Sequence, residues 1–278
     1  VTLGINPFGF DWKLAPGESF QTPEAVMVYS HEGMNAMSRT FHQLYRSRLA
    51  RGQWRDKPRP ILINNWEATY FDFTEDKLVA IAEAAHKDGV ELFVLDDGWF
   101  GARCNDFAGL GDWTPNRDRL PGGIASLARR INDLGMQFGL WFEPEMVNKD
   151  SDLYRAHPDW IIHVPGRRES HGRNQYVLDF SRPEVVDCIY DQMAKLLSEA
   201  KISYIKWDMN RSISEPFSEA LPPDRQGELF HRYILGVYSL YERLTTQFPH
   251  VLFESCASGG GRFDPGMLYY APQCWASD

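Results

Sequence analysis

Short apolar runs alternate with amphipathic stretches from residue 60 to the end of the chain. The runs, each rich in β-branched or aromatic residues, are ILINNW (61–66), ELFVLDD (91–97), QFGLWFE (137–143), QYVLDF (175–180), ISYIKWD (202–208), VLFES (251–255) and QCWASD (273–278). Nearly continuous apolar runs of this length are typical of parallel strands that are buried on both faces. The pattern therefore predicts seven strands of one parallel sheet.

Helical periodicity separates most of these predicted strands. Apolar residues spaced three or four apart predict helices over 74–88 and 124–134, and a longer stripe predicts a helix over 229–244. The run Ser181-Arg-Pro-Glu184 predicts a capping box that opens a further helix reaching about Ala200.

This alternation of strands and helices predicts an α/β fold with helices covering the sheet. With about seven β/α units and no dinucleotide fingerprint, we expect an incomplete (β/α)₈ TIM barrel over residues 59–278, truncated before its last unit. A doubly wound open sheet is the alternative. Polar residues follow the carboxyl end of nearly every predicted strand, which favours the barrel because a barrel gathers these ends into one ring.

The first part of the chain has a different pattern. Residues 1–30 lack helical periodicity and contain Pro and Gly signals, which predicts strands and turns. Residues 31–50 can form one helix. We interpret residues 1–58 as the tail of a β-rich N-terminal domain followed by a linker helix.

Composition narrows the class of partner. The net charge is −9, which argues against nucleic acid or an anionic membrane surface, and no apolar run approaches the ~20 residues that span a bilayer. Nine Trp hint at carbohydrate binding, although several must belong to the core. The four Cys lack CxxC spacing, which favours reduced thiols and a cytoplasmic location.

Two carboxylates at the ends of different predicted strands form a candidate catalytic pair. Glycoside hydrolysis uses one carboxylate to attack the anomeric carbon and a second to protonate the leaving oxygen. Asp208 shares a strand face with Lys206, a cation that would keep it ionised, and Trp275 could raise the pKa of Asp278. The alternatives are an ordinary ion pair for Asp208 and a helix-capping or turn residue for Asp278.

Other strand ends carry groups suited to binding a sugar. Asp96 and Asp97 could accept hydrogen bonds from neighbouring hydroxyls, or they could simply form a turn. Trp66 and Trp141 could wall a sugar pocket or pack in the core, and Arg173 could bind a hydroxyl or pair on the surface.

Two further motifs raise other kinds of chemistry. The three glycines in Cys256–Arg262 would let the backbone approach a ligand, but a phosphate cradle is a weak interpretation because no GxxxxGK[ST] motif is present. Glu143-Pro-Glu145 could suggest a metal site. Without an HExxH motif or a His pair at ligand spacing, we predict no metal and no cofactor.

Taken together, these motifs resemble glycoside hydrolase family 36, the α-galactosidases of bacterial type. The stretches that carry the resemblance are FVLDDGWF, GLWFEPEMV, HPDW, YVLDFSRPEV, YIKWDMNR, ESCASGGGRFD and CWASD, in order along residues 60–278. Residues 1–58 resemble the segment that leads from that family's N-terminal β-sandwich into its barrel.

The resemblance implies a role for each candidate residue. Asp208 would be the nucleophile and Asp278 the acid/base. The residues that it implies for substrate binding are Asp96 and Asp97 at the 4- and 6-hydroxyls, Trp66 and Trp141 at the walls, Arg173 and Lys206 at ring hydroxyls, Asn210 in the nucleophile motif, Cys256 and Gly259 beside the 2-hydroxyl, and Trp275 flanking the acid.

By this resemblance the function is that of a retaining exo-α-galactosidase acting on α-1,6-galactosides such as melibiose and raffinose, in a protein that forms tetramers. Four alternatives remain. They are an α-N-acetylgalactosaminidase, a galactosyltransferase of the raffinose-synthase kind, a metal-dependent barrel isomerase or lyase, and an inactive carbohydrate-binding fragment.

Overall fold

A computed structural model describes residues 2–277 of the chain. Its strands are β1 (Leu62–Asn64), β2 (Leu92–Leu95), β3 (Gln137–Phe142), β4 (Met146–Val147), β5 (Tyr176–Val177), β6 (Tyr204–Trp207), β7 (Leu252–Ser255) and β8 (Gln273–Cys274). Its α-helices are α1 (Met34–Leu44), α2 (Trp66–Thr69), α3 (Glu75–Lys87), α4 (Gly123–Asp133), α5 (Asp152–Ala156), α6 (Pro183–Glu199), α7 (Leu229–Gln247) and α8 (Pro265–Tyr270).

Six of these strands form one parallel sheet in the order β1-β2-β3-β6-β7-β8. The strand order follows the chain without reversal, whereas a doubly wound sheet reverses its order near the middle. The sheet is therefore part of a (β/α)₈ barrel, and the predicted fold class is confirmed.

The prediction of a seventh strand in this sheet is wrong. Within the predicted strand at 175–180, only β5 forms, and it pairs antiparallel with β4 in a separate two-stranded sheet. Its neighbours bond locally as well, because the Leu178 N–H donates to the Glu145 carbonyl and the Ile162 N–H donates to the Val177 carbonyl. These bonds occupy the backbone of the segment, and β3 pairs directly with β6.

The two faces of the curved sheet have different side chains. The outer face packs apolar residues of the strands against the helices in the main core. The inner face holds a small apolar cluster of Leu92, Val94, Tyr204 and Leu252, against which Trp54 and Leu62 pack. Because side chains alternate along a strand, the residues two positions further on point inward near the carboxyl ends, and there they are polar.

Most predicted helices form close to their predicted bounds. Thr74 caps α3 through its side chain, which accepts a hydrogen bond from the Lys77 N–H. The capping box predicted for α6 does not form, because the Ser181 hydroxyl donates to Asp179 and Arg182 is the N-cap residue. Pro183 does occupy the first turn of α6, as expected from its fixed φ.

The N-terminal segment packs on the barrel portion without forming strands within its described residues. Residues 2–30 are extended with turns, α1 continues into a short π-helix at Tyr45–Leu49, and Arg51 forms an ion pair with Glu242 of α7. The strands predicted for residues 1–30 are thus not present over 2–30. The assignment of residues 1–58 to the end of another domain stays a prediction.

Two further observations concern the chain as a whole. No helix within residues 2–277 has the length and apolar character needed to cross a bilayer. All four cysteines are free thiols, and Cys104 is the exposed one.

One glycine in α7 sits where only a hydrogen atom fits. A Cβ at Gly236 would lie 1.9 Å from the carbonyl oxygen of Phe180. In an unhindered helix, Gly→Ala stabilises by about 1 kcal/mol. Here we expect Gly236→Ala to lower the free energy of unfolding of the native protein by about 1–3 kcal/mol, the usual cost of overpacking. Thermal unfolding measures it, with Ser239→Ala in the same helix as the control; a rise in Tm for both variants would contradict the contact.

Candidate active site

A cleft of about 590 Å³ opens at the carboxyl ends of the parallel strands. It gathers most of the site residues predicted from the sequence. Those in its wall are Trp66, Asp96, Asp97, Trp141, Arg173, Lys206, Asp208, Asn210 and Trp275. The strand ends thus converge as the barrel prediction requires.

Asp208 follows the end of β6 and is 6% exposed. Its Oδ2 accepts hydrogen bonds from the Trp141 indole N–H at 3.1 Å and from the Asn210 side-chain amide at 2.7 Å. Its Oδ1 accepts from the Met209 backbone N–H at 3.0 Å. The donors of these three hydrogen bonds are neutral, and together they orient the carboxylate.

A second carboxyl group, Glu143, shares a neighbour with Asp208. Glu143 is 1% exposed, and it accepts hydrogen bonds from the Asn210 backbone N–H at 2.7 Å and from the Gln175 side-chain amide at 2.8 Å. Burial and then the charge of Asp208 raise the pKa of Glu143 to about 8. Asn210 connects the two carboxyl groups, because its backbone N–H donates to Glu143 and its side-chain amide donates to Asp208.

Lys206 supplies a positive charge on the same inward face as Asp208. Its ammonium group donates to Asp96 at 2.9 Å and lies 5.2 Å from the centre of the Trp275 ring. Burial lowers the pKa of Lys206, but the charges of Asp96 and Asp208 outweigh burial, so that its pKa is raised overall. Lys206 is thus a permanent cation in the cleft.

Asp97 forms a buried ion pair with Arg103, which is 2% exposed. The guanidinium grips both carboxylate oxygens, at 2.9 Å from Nε to Oδ1 and 2.7 Å from Nη2 to Oδ2. Burial raises the pKa of Asp97, and the charge of Arg103 offsets that effect only in part. The adjacent acids Asp96 and Asp97 are therefore each matched with a different cation, which explains how two neighbouring carboxylates tolerate burial.

The two predicted wall tryptophans occupy different settings. Trp141 lies on β3 as expected, and its indole N–H is committed to Asp208. Trp66 does not lie on a strand, because β1 ends at Asn64 and Trp66 begins α2, where the Asn64 side chain accepts its backbone N–H. Its ring is half-buried at the wall of the cleft.

Arg173 reaches the cleft from an unusual turn. Arg173 and Asn174 both have left-handed backbone conformations, with φ of 51° and 62°, which is uncommon for two successive non-glycine residues. Asn148 donates to the Asn174 carbonyl at 2.9 Å, and Arg211 donates to the Gln175 carbonyl at 3.1 Å. These bonds hold the turn that presents Arg173.

Two predicted site residues, Cys256 and Gly259, lie in the loop after β7. Neither is among the described residues that line the cleft. Cys256 is 2% exposed, its thiol hydrogen-bonds Asp208, and burial raises its pKa, so it remains a thiol. Gly259 adopts φ 81°, and its carbonyl accepts the Ala257 N–H at 2.7 Å, which closes the loop. The other predicted catalytic residue, Asp278, lies outside the described residues.

Glu145 has a structural environment rather than one suited to a metal. It is fully buried, and it accepts hydrogen bonds from the Trp207 indole at 2.9 Å, the Tyr233 hydroxyl at 2.8 Å and both Nη atoms of Arg262 at 2.7 Å. Within residues 2–277, no group of His, Cys, Asp and Glu side chains could hold a metal ion.

Several residues of the cleft were not predicted from the sequence as site residues. They are Asn64, Glu67, Arg103, Glu143 and Gln175. The alternation of side chains along β1 and β3 could have identified Asn64 and Glu143, which follow inward-facing positions. Arg103 and Gln175 come from irregular segments, where no periodicity indicates which side chain turns inward.

Comparisons with known proteins agree with this architecture. The family described as Melibiase matches residues 19–278. Alpha-galactosidase AgaA of Geobacillus stearothermophilus is 62% identical over 278 residues, which is 100% of this chain and 38% of that protein. Alpha-galactosidase Mel36A of Lactobacillus acidophilus is 55% identical over the same coverage.

Solved structures extend the comparison to three dimensions. A crystal structure of an AgaA variant from G. stearothermophilus in complex with raffinose matches with a TM-score of 0.97 and 62% identity, over 99% of this chain and 38% of that one. This chain spans 38% of the length of these two curated relatives. The match over residues 19–278 and the identity over the whole chain establish that this chain belongs to the Melibiase family.

Proposed function

We propose that this chain carries the catalytic site of a retaining exo-α-galactosidase that removes terminal α-1,6-linked galactose from substrates such as melibiose and raffinose. The observation that carries the proposal is the buried carboxylate of Asp208, which neutral donors orient in a cleft lined by other carboxyl groups, cations, amides and tryptophans. The names of the relatives and the raffinose and stachyose complexes of AgaA variants support it.

The proposed reaction is a double displacement. Asp208 attacks the anomeric carbon, the glycosidic bond breaks, and Asp278 gives its proton to the departing oxygen. Asp278 then removes a proton from water, and the water oxygen displaces Asp208 from the galactosyl ester. Two inversions restore the α-configuration, and both carboxyl groups regain their starting protonation states.

The charge balance of the described cleft favours this chemistry. The cleft wall holds five carboxyl groups, those of Glu67, Asp96, Asp97, Glu143 and Asp208, and three cations, Arg103, Arg173 and Lys206. The transition state of glycoside hydrolysis carries positive charge on the sugar ring. A buried anion fixed before the reaction stabilises such charge without reorganisation.

Two variants of AgaA support the choice of carboxylates. The raffinose and stachyose complexes each contain a substitution of an aspartate, and the two aspartates lie 70 positions apart in that protein. Asp208 and Asp278 have the same separation in this chain. Removing a carboxylate needed for turnover is a usual way to keep a substrate intact in a site, so the equal spacing supports the proposed roles of Asp208 and Asp278.

The remaining polar groups suit a galactosyl ring. We assign Asp96 and Asp97 to the 4- and 6-hydroxyls, and Lys206 and Arg173 to other ring hydroxyls. Trp66 and Trp141 would cover apolar faces of the ring. Asn210, through its bond to Asp208, and Trp275, over Lys206, would complete the binding site.

The loop after β7 bears on discrimination at the sugar's 2-position. Cys256 is buried, and the Gly260 N–H donates to the Ala276 carbonyl, so the loop is bonded to the segment that follows β8. We propose that Cys256 and Gly259 lie beside the 2-hydroxyl and leave little room for a 2-acetamido group. The proposal includes a cytoplasmic homo-oligomer that needs no cofactor.

Replacing the proposed nucleophile should stop turnover. We expect Asp208→Ala in the native protein to lower kcat on an aryl α-galactoside by at least about 10⁴-fold, because the covalent step loses its attacking atom. Tm and the binding of galactose, measured by calorimetry, should change little. Azide should restore turnover and give β-galactosyl azide, since a small anion can replace the missing carboxylate on the same face. Full activity of Asp208→Ala would exclude the assignment.

The substrate class can be determined by measuring cleavage of an aryl α-galactoside, an aryl α-N-acetylgalactosaminide and an aryl β-galactoside with EDTA present. We expect cleavage of the α-galactoside and at least about 100-fold lower kcat/KM for the α-N-acetylgalactosaminide and the β-galactoside. The first galactose released should be the α-anomer by ¹H NMR, as two inversions require. A β-anomer as first product would refute the double displacement, and loss of activity in EDTA would indicate a metal-dependent reaction.

A further inference from the structure

Glu143 is a buried acid for which the proposed reaction has no stated use. It follows β3, is 1% exposed, and has no cation hydrogen-bonded to it among the described residues. Both of its oxygens accept only from neutral groups, the Asn210 backbone and the Gln175 amide. A buried carboxylate without a cation is costly, so a proton is the expected counterpart of its charge.

Asn210 connects Glu143 directly to Asp208. Its backbone N–H donates to Glu143 at 2.7 Å and its side-chain amide donates to Asp208 at 2.7 Å. The remaining atom of that amide, Oδ1, accepts the Ser258 hydroxyl at 3.1 Å. Asn210 is therefore held by three hydrogen bonds, and the one that fixes its backbone is the bond to Glu143.

We propose that Glu143 is a positioning residue for Asp208: it remains a neutral acid, holds Asn210 against Asp208, and leaves the single negative charge of this carboxyl pair on Asp208. The inference rests on the proposed function only in naming Asp208 as the nucleophile. Two carboxyl groups in one hydrogen-bonded cluster seldom both ionise. Asp208 receives hydrogen bonds from Trp141, Met209, Asn210 and the Cys256 thiol, whereas Glu143 receives two, and this difference favours the charge on Asp208.

The charged surroundings of Glu143 agree with this arrangement. Asp208 after β6 and Asp97 after β2 disfavour its ionisation, whereas Arg103, from the loop after β2, favours it but is already committed to Asp97. With burial, the net result is the raised pKa given above.

The first test separates positioning from a general structural role. In the native protein, Glu143→Gln keeps an oxygen for the Asn210 N–H, whereas Glu143→Ala removes it. On 4-nitrophenyl α-galactoside at pH 6, we expect kcat of Glu143→Ala to fall about 10–100-fold with KM within about threefold, because Asp208 loses its orientation. Glu143→Gln should retain kcat within about threefold. Equal losses in the two variants, or a loss confined to KM, would overturn the proposal.

The second test detects the proton on Glu143 from the pH dependence of thermal stability. The pKa of Glu143 is raised from 4.5 to about 8, so between these values the unfolded residue is ionised while the folded one is protonated. Ionisation of the unfolded state alone lowers the stability of the native protein as pH rises through this window. Glu143→Gln cannot ionise, so its Tm minus that of the unchanged protein should rise from pH 5 to pH 8 by at least about 3 °C.

Glu83→Gln is the matched control, because Glu83 is exposed on α3 and should show no such pH trend. A Tm difference for Glu143→Gln that stays constant with pH would mean that folded Glu143 is ionised, and the inference would be wrong. The stability test does not depend on catalysis. An inactive native protein with the expected pH trend would remove the proposed function and leave the neutral acid established.

Discussion

The active-site architecture depends on one fully buried carboxylate, Glu145. It joins three parts of the chain, since Trp207 belongs to β6, Tyr233 to α7, and Arg262 to the loop after β7. Each partner donates, so every arm of the cluster relies on the same negative charge. Removing one partner from such a buried ion pair typically costs about 3–5 kcal/mol. The strand ends that carry Asp208 and Cys256 are thereby held at a fixed separation.

The inner face of the sheet changes from apolar to charged along its strands, and this gradient decides where chemistry is possible. The cluster of Leu92, Val94 and Tyr204 excludes water at one level. One step further along the strands, Asp96 and Lys206 face each other within a poorly solvated space. Charges placed there interact more strongly than they would in water. The cleft can therefore hold opposite charges in fixed positions while the layer below supplies stability.

Local pattern was enough to predict the barrel class, most helices and the polar strand ends, because these follow from alternation and from the shared edge of parallel strands. It failed at 175–180, where an apolar run pairs with β4 instead of the main sheet, since partner choice depends on contacts distant in sequence. It also missed Arg103, whose burial reflects pairing with Asp97 across a loop. The many Trp residues are only in part related to the cleft, because Trp99 and Trp207 are fully buried.

The grip of Arg103 on Asp97 has a consequence for the kind of group that can enter the cleft. Asp97 and Asp96 present only acceptor lone pairs, and some of these are already taken by Arg103 and Lys206. A ligand group that binds these carboxylates must therefore be a hydrogen-bond donor. In a deoxyfluoro sugar the fluorine cannot donate a hydrogen bond. Its lone pairs would face those of the carboxylate oxygens, which is unfavourable. If Asp96 and Asp97 bind a sugar hydroxyl as proposed, this corner of the cleft would distinguish hydroxyl from fluorine by the direction of one hydrogen bond, although the two groups are similar in size.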